Sequence, residues 1–313
     1  MATMQAVRLH SYGGPEVLVL EEVPRPQAGD GEVLIRVHAA GINPLDWKVR
    51  AGHVKAWLKH RLPLTPGWDV SGVVEAVAPD VTAYKVGDEV YGMLNFMLNG
   101  AYADYVATRT MHLALKPRSV DHIRAGAAPL TSLTAWQSLF DVAKLESGQT
   151  VLIHAASGGV GHFAVQLAKW KGARVIGTTS AGNESFVREL GAHEVIDYRT
   201  TGFEEVVKDV DVVLDTIGGD TQHRSWQVLK KGGILVSTLG ISSPDAGRKY
   251  EVRGEGIMVH PDPAQLGYIA ELIDKGNLRP AITEILPLFE AARAQELSQT
   301  GHVRGKIVLQ VAG

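Results

Sequence analysis

Cysteine is absent from the sequence. Its absence excludes disulfides, thiolate nucleophiles and thiolate metal sites. No apolar run approaches the roughly 20 residues of a membrane-spanning helix. The opening residues, Met1 to Arg8, lack the charged-then-apolar pattern of a secretion signal, so a cytoplasmic location is expected. Charge of one sign is not in excess. The 31 Lys and Arg face 34 Asp and Glu, a net charge of −3, which gives no electrostatic reason to expect nucleic acid or an anionic membrane as partner. The 12 histidines form no H-E-x-x-H and no pair three or four residues apart. No metal site is therefore expected.

What is present suffices for two cores: 313 residues, 45% of them hydrophobic. Up to about residue 120 the chain reads as β-rich. The runs Gln5–His10, Val17–Val23, Glu32–Ala39, Val70–Val77, Val90–Met93 and Ala101–Ala107 are separated by Gly, Pro and Asp turn signals. Their spacing suits a small antiparallel barrel. Helical pattern follows in Ala125–Leu130 and Ser132–Phe140, broken by Pro129.

The central stretch is Val151-Leu-Ile-His-Ala-Ala-Ser-Gly-Gly-Val-Gly161. A short apolar run suits a doubly covered parallel strand, and a small-residue turn follows it. Val160, Phe163, Ala164, Leu167 and Ala168 then recur at helical spacing. Strand, glycine turn and helix open a dinucleotide-binding unit, in which a pyrophosphate approaches backbone N–H groups at the positive helix end. The motif departs from G-x-G-x-x-G, since Ala156 stands where the first glycine would be, and an ordinary turn is the competing reading. Context favours the nucleotide. Arg174–Thr178, Glu194–Asp197, Val210–Asp215 and Gly233–Ser237 read as further strands, and the alternation with helices predicts a parallel sheet. Gln265–Lys275 reads as a helix. The tail strand Gly305–Val311 has no parallel partner left to follow and is expected to return to the first domain.

These pieces together resemble the zinc-free quinone oxidoreductase (zeta-crystallin-like) branch of the medium-chain dehydrogenase/reductase superfamily. The segments carrying the resemblance include Tyr12-Gly-Gly-Pro-Glu-Val-Leu18, Ala40-Gly-Ile-Asn-Pro-Leu-Asp46, Pro66-Gly-Trp-Asp-Val-Ser-Gly-Val-Val74 and Val86-Gly-Asp-Glu-Val-Tyr-Gly92. Gly100–Val106, Leu133-Thr-Ala-Trp136, Asp215-Thr-Ile-Gly-Gly219 and Gly301–Val308 continue it in the same order. The resemblance implies an α/β fold: a Rossmann-type doubly wound parallel sheet domain plus a β-rich GroES-like barrel domain. The expected boundaries are 1–123 and 286–313 for the barrel and 124–285 for the nucleotide domain. Zinc-using relatives carry Gly-His-Glu where this chain has Gly67-Trp68-Asp69. Without that Lewis acid, the implied chemistry is hydride transfer from NADPH to a quinone or α,β-unsaturated carbonyl. The family also implies a homodimer.

Residue by residue, Asn43 is either a turn residue before Pro44 or, as the resemblance implies, the polar group beside the nicotinamide. Asp46 either stabilises that loop or relays a proton. Thr134 is a helix N-cap, a neighbour of the nicotinamide, or both. Tyr91 and Tyr102 either pack in the barrel or face the active site, and no residue stands out as a general acid. Ser157, Gly158, Gly159, Val160 and Gly161 would meet the pyrophosphate; Ile217, Gly218, Leu239 and Gly240 would border the nicotinamide side. Lys306 would approach the cofactor if the tail folds back, its other reading being an edge lysine facing water.

Cofactor choice rests on the end of the second strand, Gly177-Thr-Thr-Ser-Ala-Gly-Asn183. It lacks the carboxylate that accepts from an NAD ribose about 20 residues past the glycine turn. Thr179, Ser180, Tyr198 and Arg199 would instead receive a 2′-phosphate. Relatives often add a Lys or Arg where this chain has Gly182 and Asn183, so a reduced NADPH preference is expected. Three rival readings compete with this one. A short-chain dehydrogenase needs Tyr-x-x-x-Lys, which is missing; an enoyl-thioester reductase carries a tyrosine where this chain has Val54. A non-catalytic, crystallin-like NADPH-binding protein would share the same nucleotide site.

Overall fold

The computed structural model describes residues 2–243 and 245–312. The chain forms two compact units. One comprises the residues up to Leu130, His260–Gly276 and those from Pro280 on; the other comprises Thr131–Val259 with Asn277–Arg279.

In the first unit, β1 (Thr3–Leu9) and β2 (Leu18–Pro24) form an antiparallel hairpin. Strands β3 (Glu32–Gly41), β4 (Asp69–Val77), β5 (Glu89–Met93), β6 (Tyr105–Arg109) and β7 (Leu113–Leu115) build a larger sheet. Strand β3 is its centre, pairing antiparallel with β4 along one edge and with β6 along part of the other. Its Val33, Ile35 and Val37 alternate inward and are fully buried with Trp68, Val70, Val90 and Leu113. The expected strand over 101–107 starts only at Tyr105. The preceding residues are held instead by the loop before β4: Ala101 N donates to Gly67 O at 2.7 Å and Tyr102 N to Pro66 O at 3.1 Å.

Helix α1 (Pro44–Arg50) follows β3, and α2 (His122–Gly126) and α3 (Pro129–Trp136) follow β7. Pro129 opens α3 rather than ending a helix, because its missing N–H is tolerated in a first turn. Beyond Trp136 the helix widens into a π turn, Gln137–Val142.

The second unit carries six parallel strands: β8 (Thr150–Ile153), β9 (Arg174–Thr179), β10 (Glu194–Asp197), β11 (Val210–Asp215), β12 (Leu229–Ser237) and β13 (Arg253–Gly256). Their order is β10-β9-β8-β11-β12-β13. Val151, Leu152, Ile153, Val213 and Leu214 are fully buried, as a sheet covered on both faces requires. Helix α4 (Gly159–Lys171) buries Phe163, Ala164, Leu167 and Ala168, and ends at a left-handed Gly172.

The end of the chain returns to the first sheet. Strands β14 (Ile282–Pro287) and β15 (Lys306–Gln310) pair in parallel, and β15 lies antiparallel to β3, with Val308 opposite Gly41. Among the described residues no helix is long and apolar enough to cross a membrane.

Leu152 sits at the middle of the parallel sheet with no exposure. Leu152→Ala should lower stability by about 2–5 kcal/mol, read from urea unfolding. A loss under about 1 kcal/mol would contradict its place in a close-packed core.

Candidate functional site

Strand order in the second unit reverses between β8 and β11. Chains leaving these strands run to opposite faces, which opens a crevice at the carboxyl edge. The first turn at this edge follows β8. His154 N donates to Leu214 O at 3.0 Å, Ala155 turns into the left-handed region with φ 48°, and Gly158 N closes back on Ala155 O at 2.9 Å. Gly158 caps α4 without any side-chain bond, and the first helical turn has no acidic residue. The leading N–H groups of a helix lack intrahelical acceptors, and here they add to the positive end of its dipole.

Close packing makes this cradle possible. A Cβ on Gly161 would stand 2.1 Å from the Ala155 carbonyl oxygen, so only glycine lets the helix approach the turn so nearly. Ala156 replaces the first glycine of the usual motif because β9 makes room for its methyl: a Cβ on Gly177 would lie 2.8 Å from it. Backbone donors, absent side chains and absent negative charge fit a pyrophosphate.

The second turn follows β9. Thr179 is buried, its hydroxyl 2.8 Å from that of Ser157, so it ties β9 to the glycine turn. Ser180 is half-buried, while Tyr198 and Arg199 are exposed. Tyr198 N donates to Thr179 O at 3.1 Å, which brings the two segments together. The Asp197 carboxylate turns into its own loop and accepts from Arg199 N at 3.0 Å.

The third and fourth turns follow β11 and β12. Ile217 and Leu239 are each about half exposed there, 50% and 51%. Beneath them Asp215, fully buried, accepts from Ile217 N and Gly218 N through Oδ1. His154 lies under the same edge. Ser225 Oγ donates to Thr221 O and so accepts from His154 Nε2, while Nδ1 takes the Thr178 hydroxyl. Burial pushes its pKa down to about 4, so the ring is a neutral strut. Thr134 is buried inside α3 rather than at its N-cap, which removes the capping reading.

A separate polar cluster lies in the first unit where β3 leads into α1. Asn43 N donates to Asp46 Oδ2 at 2.7 Å, and Asp46 N donates to Asn43 O at 2.9 Å. Tyr102 OH also donates to Asp46 Oδ2, at 2.7 Å. Burial raises the Asp46 pKa from 3.8 to about 7, against the opposing pull of those two hydrogen bonds and of the Lys306 charge. Asn43 Nδ2 donates to Asp69 Oδ2 at 2.8 Å, and Leu130 N donates to Asp69 Oδ1 at 2.6 Å. The Lys306 ammonium donates to Ile42 O at 2.8 Å, Asn43 Oδ1 at 2.5 Å and Asp69 Oδ2 at 3.2 Å. Its three protons are thus used inside this unit. Lys306 does not face water; its bonds fix the Asn43 amide.

The structure therefore joins Asn43, Asp46 and Lys306 in one cluster, and Ser157 with Thr179 in another. Sequence reasoning missed Asp69 as the partner of Lys306. A lysine opening the apolar run Ile307–Leu309 was the available signal, since a buried ammonium requires a carboxylate. Tyr91, like Tyr102, packs inside, its hydroxyl donating to Leu266 O at 2.6 Å. Trp68 is fully buried with its indole N–H on Leu98 O at 3.1 Å. No group of three or more metal-ligating side chains occurs among the described residues.

The Asp46 shift carries a pH test. The folded state holds this proton more tightly than the unfolded chain, so Asp46 adds stability at low pH that is lost as pH rises from 3.8 to about 7. Asp46→Asn keeps an acceptor but cannot ionise. Relative to it, the wild type should lose stability between pH 4.5 and 7.5, on the order of 1.4 kcal/mol for each pKa unit. A pH-independent difference in urea midpoints would show a carboxylate ionised throughout.

Comparison with known proteins agrees with this architecture. Residues 29–118 match the family described as "Alcohol dehydrogenase GroES-like domain", and residues 190–309 match "Zinc-binding dehydrogenase". The chain is 34% identical to a quinone oxidoreductase of Sus scrofa over 98% of its own length and 97% of that protein. It is also 34% identical to a 2-methylene-furan-3-one reductase of Solanum lycopersicum, over 98% of this chain and 79% of that one. Its fold superposes on the quinone oxidoreductase from Coxiella burnetii with a TM-score of 0.93 and 36% identity, covering 99% of this chain and 100% of the other. Likeness of this extent, along both units, settles kinship: the chain belongs to the zinc-free quinone oxidoreductase branch of the medium-chain dehydrogenase/reductase superfamily, an oxidoreductase family that binds a nicotinamide dinucleotide.

Proposed function

We propose that this protein is a zinc-independent, NADPH-dependent reductase of quinones or α,β-unsaturated carbonyls. The observation that carries the reading is Trp68. Its buried indole fills the position where zinc-using relatives have histidine, and Asp69 beside it is engaged by Lys306, Asn43 and Leu130. Among the described residues no group of three or more metal-ligating side chains offers a place for a Lewis acid, which supports an acceptor that is already electron-poor. The name of the tomato relative describes such a compound, a methylene conjugated with a ring ketone. The enoyl-thioester alternative is weaker, because its tyrosine position holds Val54, which is buried in the core.

The bound nicotinamide supplies the hydride. Residues 157–161 hold the pyrophosphate on backbone N–H groups, while Ile217 and Leu239 offer apolar surface to the nicotinamide side. Asn43, Asp46 and Thr134 are the polar set assigned to the reaction. Asn43 is pre-oriented by Lys306 and Asp69, and Asp46, titrating near neutrality, is the member able to hold a proton. At the adenine end Ser180, Tyr198 and Arg199 serve a 2′-phosphate. Thr179 acts from beneath, through Ser157.

Two units of this kind should pair as a homodimer. Strand β13 ends the parallel sheet, and an uncovered edge of that sort invites a second copy. Light scattering at micromolar concentration should give twice 33.7 kDa, and a monomer would contradict the pairing.

Activity is tested by NADPH oxidation with 9,10-phenanthrenequinone and 1,4-benzoquinone, with and without chelator. Turnover unaffected by chelation is expected; acceptor-independent or chelator-sensitive oxidation would refute the assignment. The wild type should prefer NADPH to NADH in kcat/KM. Arg199→Ala should lower the NADPH value by about tenfold, as loss of one charged hydrogen bond at an exposed site implies, and leave NADH unchanged. Equal use of both cofactors by the wild type would remove the 2′-phosphate from the proposal.

A further inference from the structure

The turn after β11 and the loop after β12 meet at one buried side chain, Gln222, on the short helix Gly219–Ser225. Its amide makes four hydrogen bonds, the full capacity of its two donors and its oxygen. Nε2 donates to Asp215 Oδ2 at 2.9 Å and to Gly240 O at 2.9 Å. Oε1 accepts from Ser242 N at 3.0 Å and from Ser242 Oγ at 2.8 Å. Asp215 is equally complete: Oδ1 takes Ile217 N at 2.9 Å and Gly218 N at 2.8 Å, and Oδ2 takes Gln222 and, at 2.8 Å, Ser237 Oγ. The same two loops touch above, where a Cβ on Gly218 would lie 2.9 Å from Leu239 Cδ1. Neither loop can shift without breaking bonds to a buried amide or a buried carboxylate, which are costly to leave unpaired.

A dinucleotide lies across the point where the strand order reverses, one half on each side. The glycine turn and β9 lie on the adenine side. The β11 and β12 loops therefore fall to the other half. We propose that Gln222 is a positioning residue for the nicotinamide half of the cofactor, clasping Ile217–Gly218 and Leu239–Gly240 into one preformed wall. This rests on dinucleotide binding at this edge, and on nothing about the acceptor. An apolar residue of similar size would leave Asp215 Oδ2 and Gly240 O each one donor short and free the loop at Ser242. The glycine turn and the β9 end, to which the Gln222 amide makes no hydrogen bond, would keep their geometry.

The test compares wild type with Gln222→Leu in binding NADPH, NADH and the adenine-half fragments 2′,5′-ADP and 5′-AMP. It also reads the emission of the bound reduced nicotinamide. The variant should bind the fragments within about twofold of wild type and whichever dinucleotide the wild type prefers about tenfold more weakly. Its saturated complex should emit more like free cofactor. Unchanged dinucleotide affinity and emission would overturn the proposal, as would equal weakening of fragments and dinucleotides. Should Gln222→Leu fail to fold, Ser242→Ala, at an exposed position, removes one of the four bonds. It should show the same split at about two- to threefold, and no split would overturn the proposal. A wild type that binds dinucleotide but reduces no quinone would refute the acceptor assignment while leaving this inference standing.

Discussion

At Gly161 the helix α4 comes so close to the preceding turn that a single methyl group would strike the Ala155 carbonyl. The edge proposed to hold the nucleotide depends on this steric constraint. It brings the helix terminus, with its unpaired N–H groups and dipole, up against the end of β8. In the same turn Ala155 adopts a left-handed conformation, a strain that a packed surrounding must hold in place. That surrounding is visible: Ala156 N is bonded to Thr178 O, and the Ala156 methyl fits where β9 carries Gly177.

Both units support their loops by the same physical means, buried polar groups with every polar atom bonded. In the parallel-sheet unit this is Asp215, with four donors. In the other unit it is the Lys306–Asp69 pair, whose side chains are 2% and 0% exposed. A buried pair of this sort adds little net stability against an apolar replacement, but removing one partner leaves an uncompensated charge. Its contribution is to orientation. Lys306 comes from the last strand, Asn43 from the loop after β3 and Asp69 from β4, so the amide is set by segments far apart in sequence.

Where periodicity was strong, the sequence was legible. The β8 strand and α4 follow from apolar spacing and a glycine turn, and the return of β15 to β3 matches the expectation for the tail strand, although β15 also has a parallel partner, β14, that the sequence did not reveal. Strand β13 was not legible, because Arg253-Gly-Glu-Gly256 has no apolar residue to mark it. It is a strand through its pairing with β12 and the Trp226 ring packed where Gly254 has no side chain. Thr134 could be read as a cap only while the start of α3 was unknown; with Pro129 opening the helix, it falls inside. Lys306 shows the limit most plainly. Its role is decided by Asp69 and Asn43, 237 and 263 residues away, and no local pattern encodes that distance.

Calorimetric titration of NADPH into the wild type and into Gly161→Val addresses the central claim most directly, with circular dichroism confirming that both are folded. The account requires one NADPH bound per wild-type chain and no measurable binding by Gly161→Val, because the added side chain must push the helix terminus away from the turn. A folded Gly161→Val protein that binds NADPH as the wild type does would contradict the placement of the cofactor on this cradle.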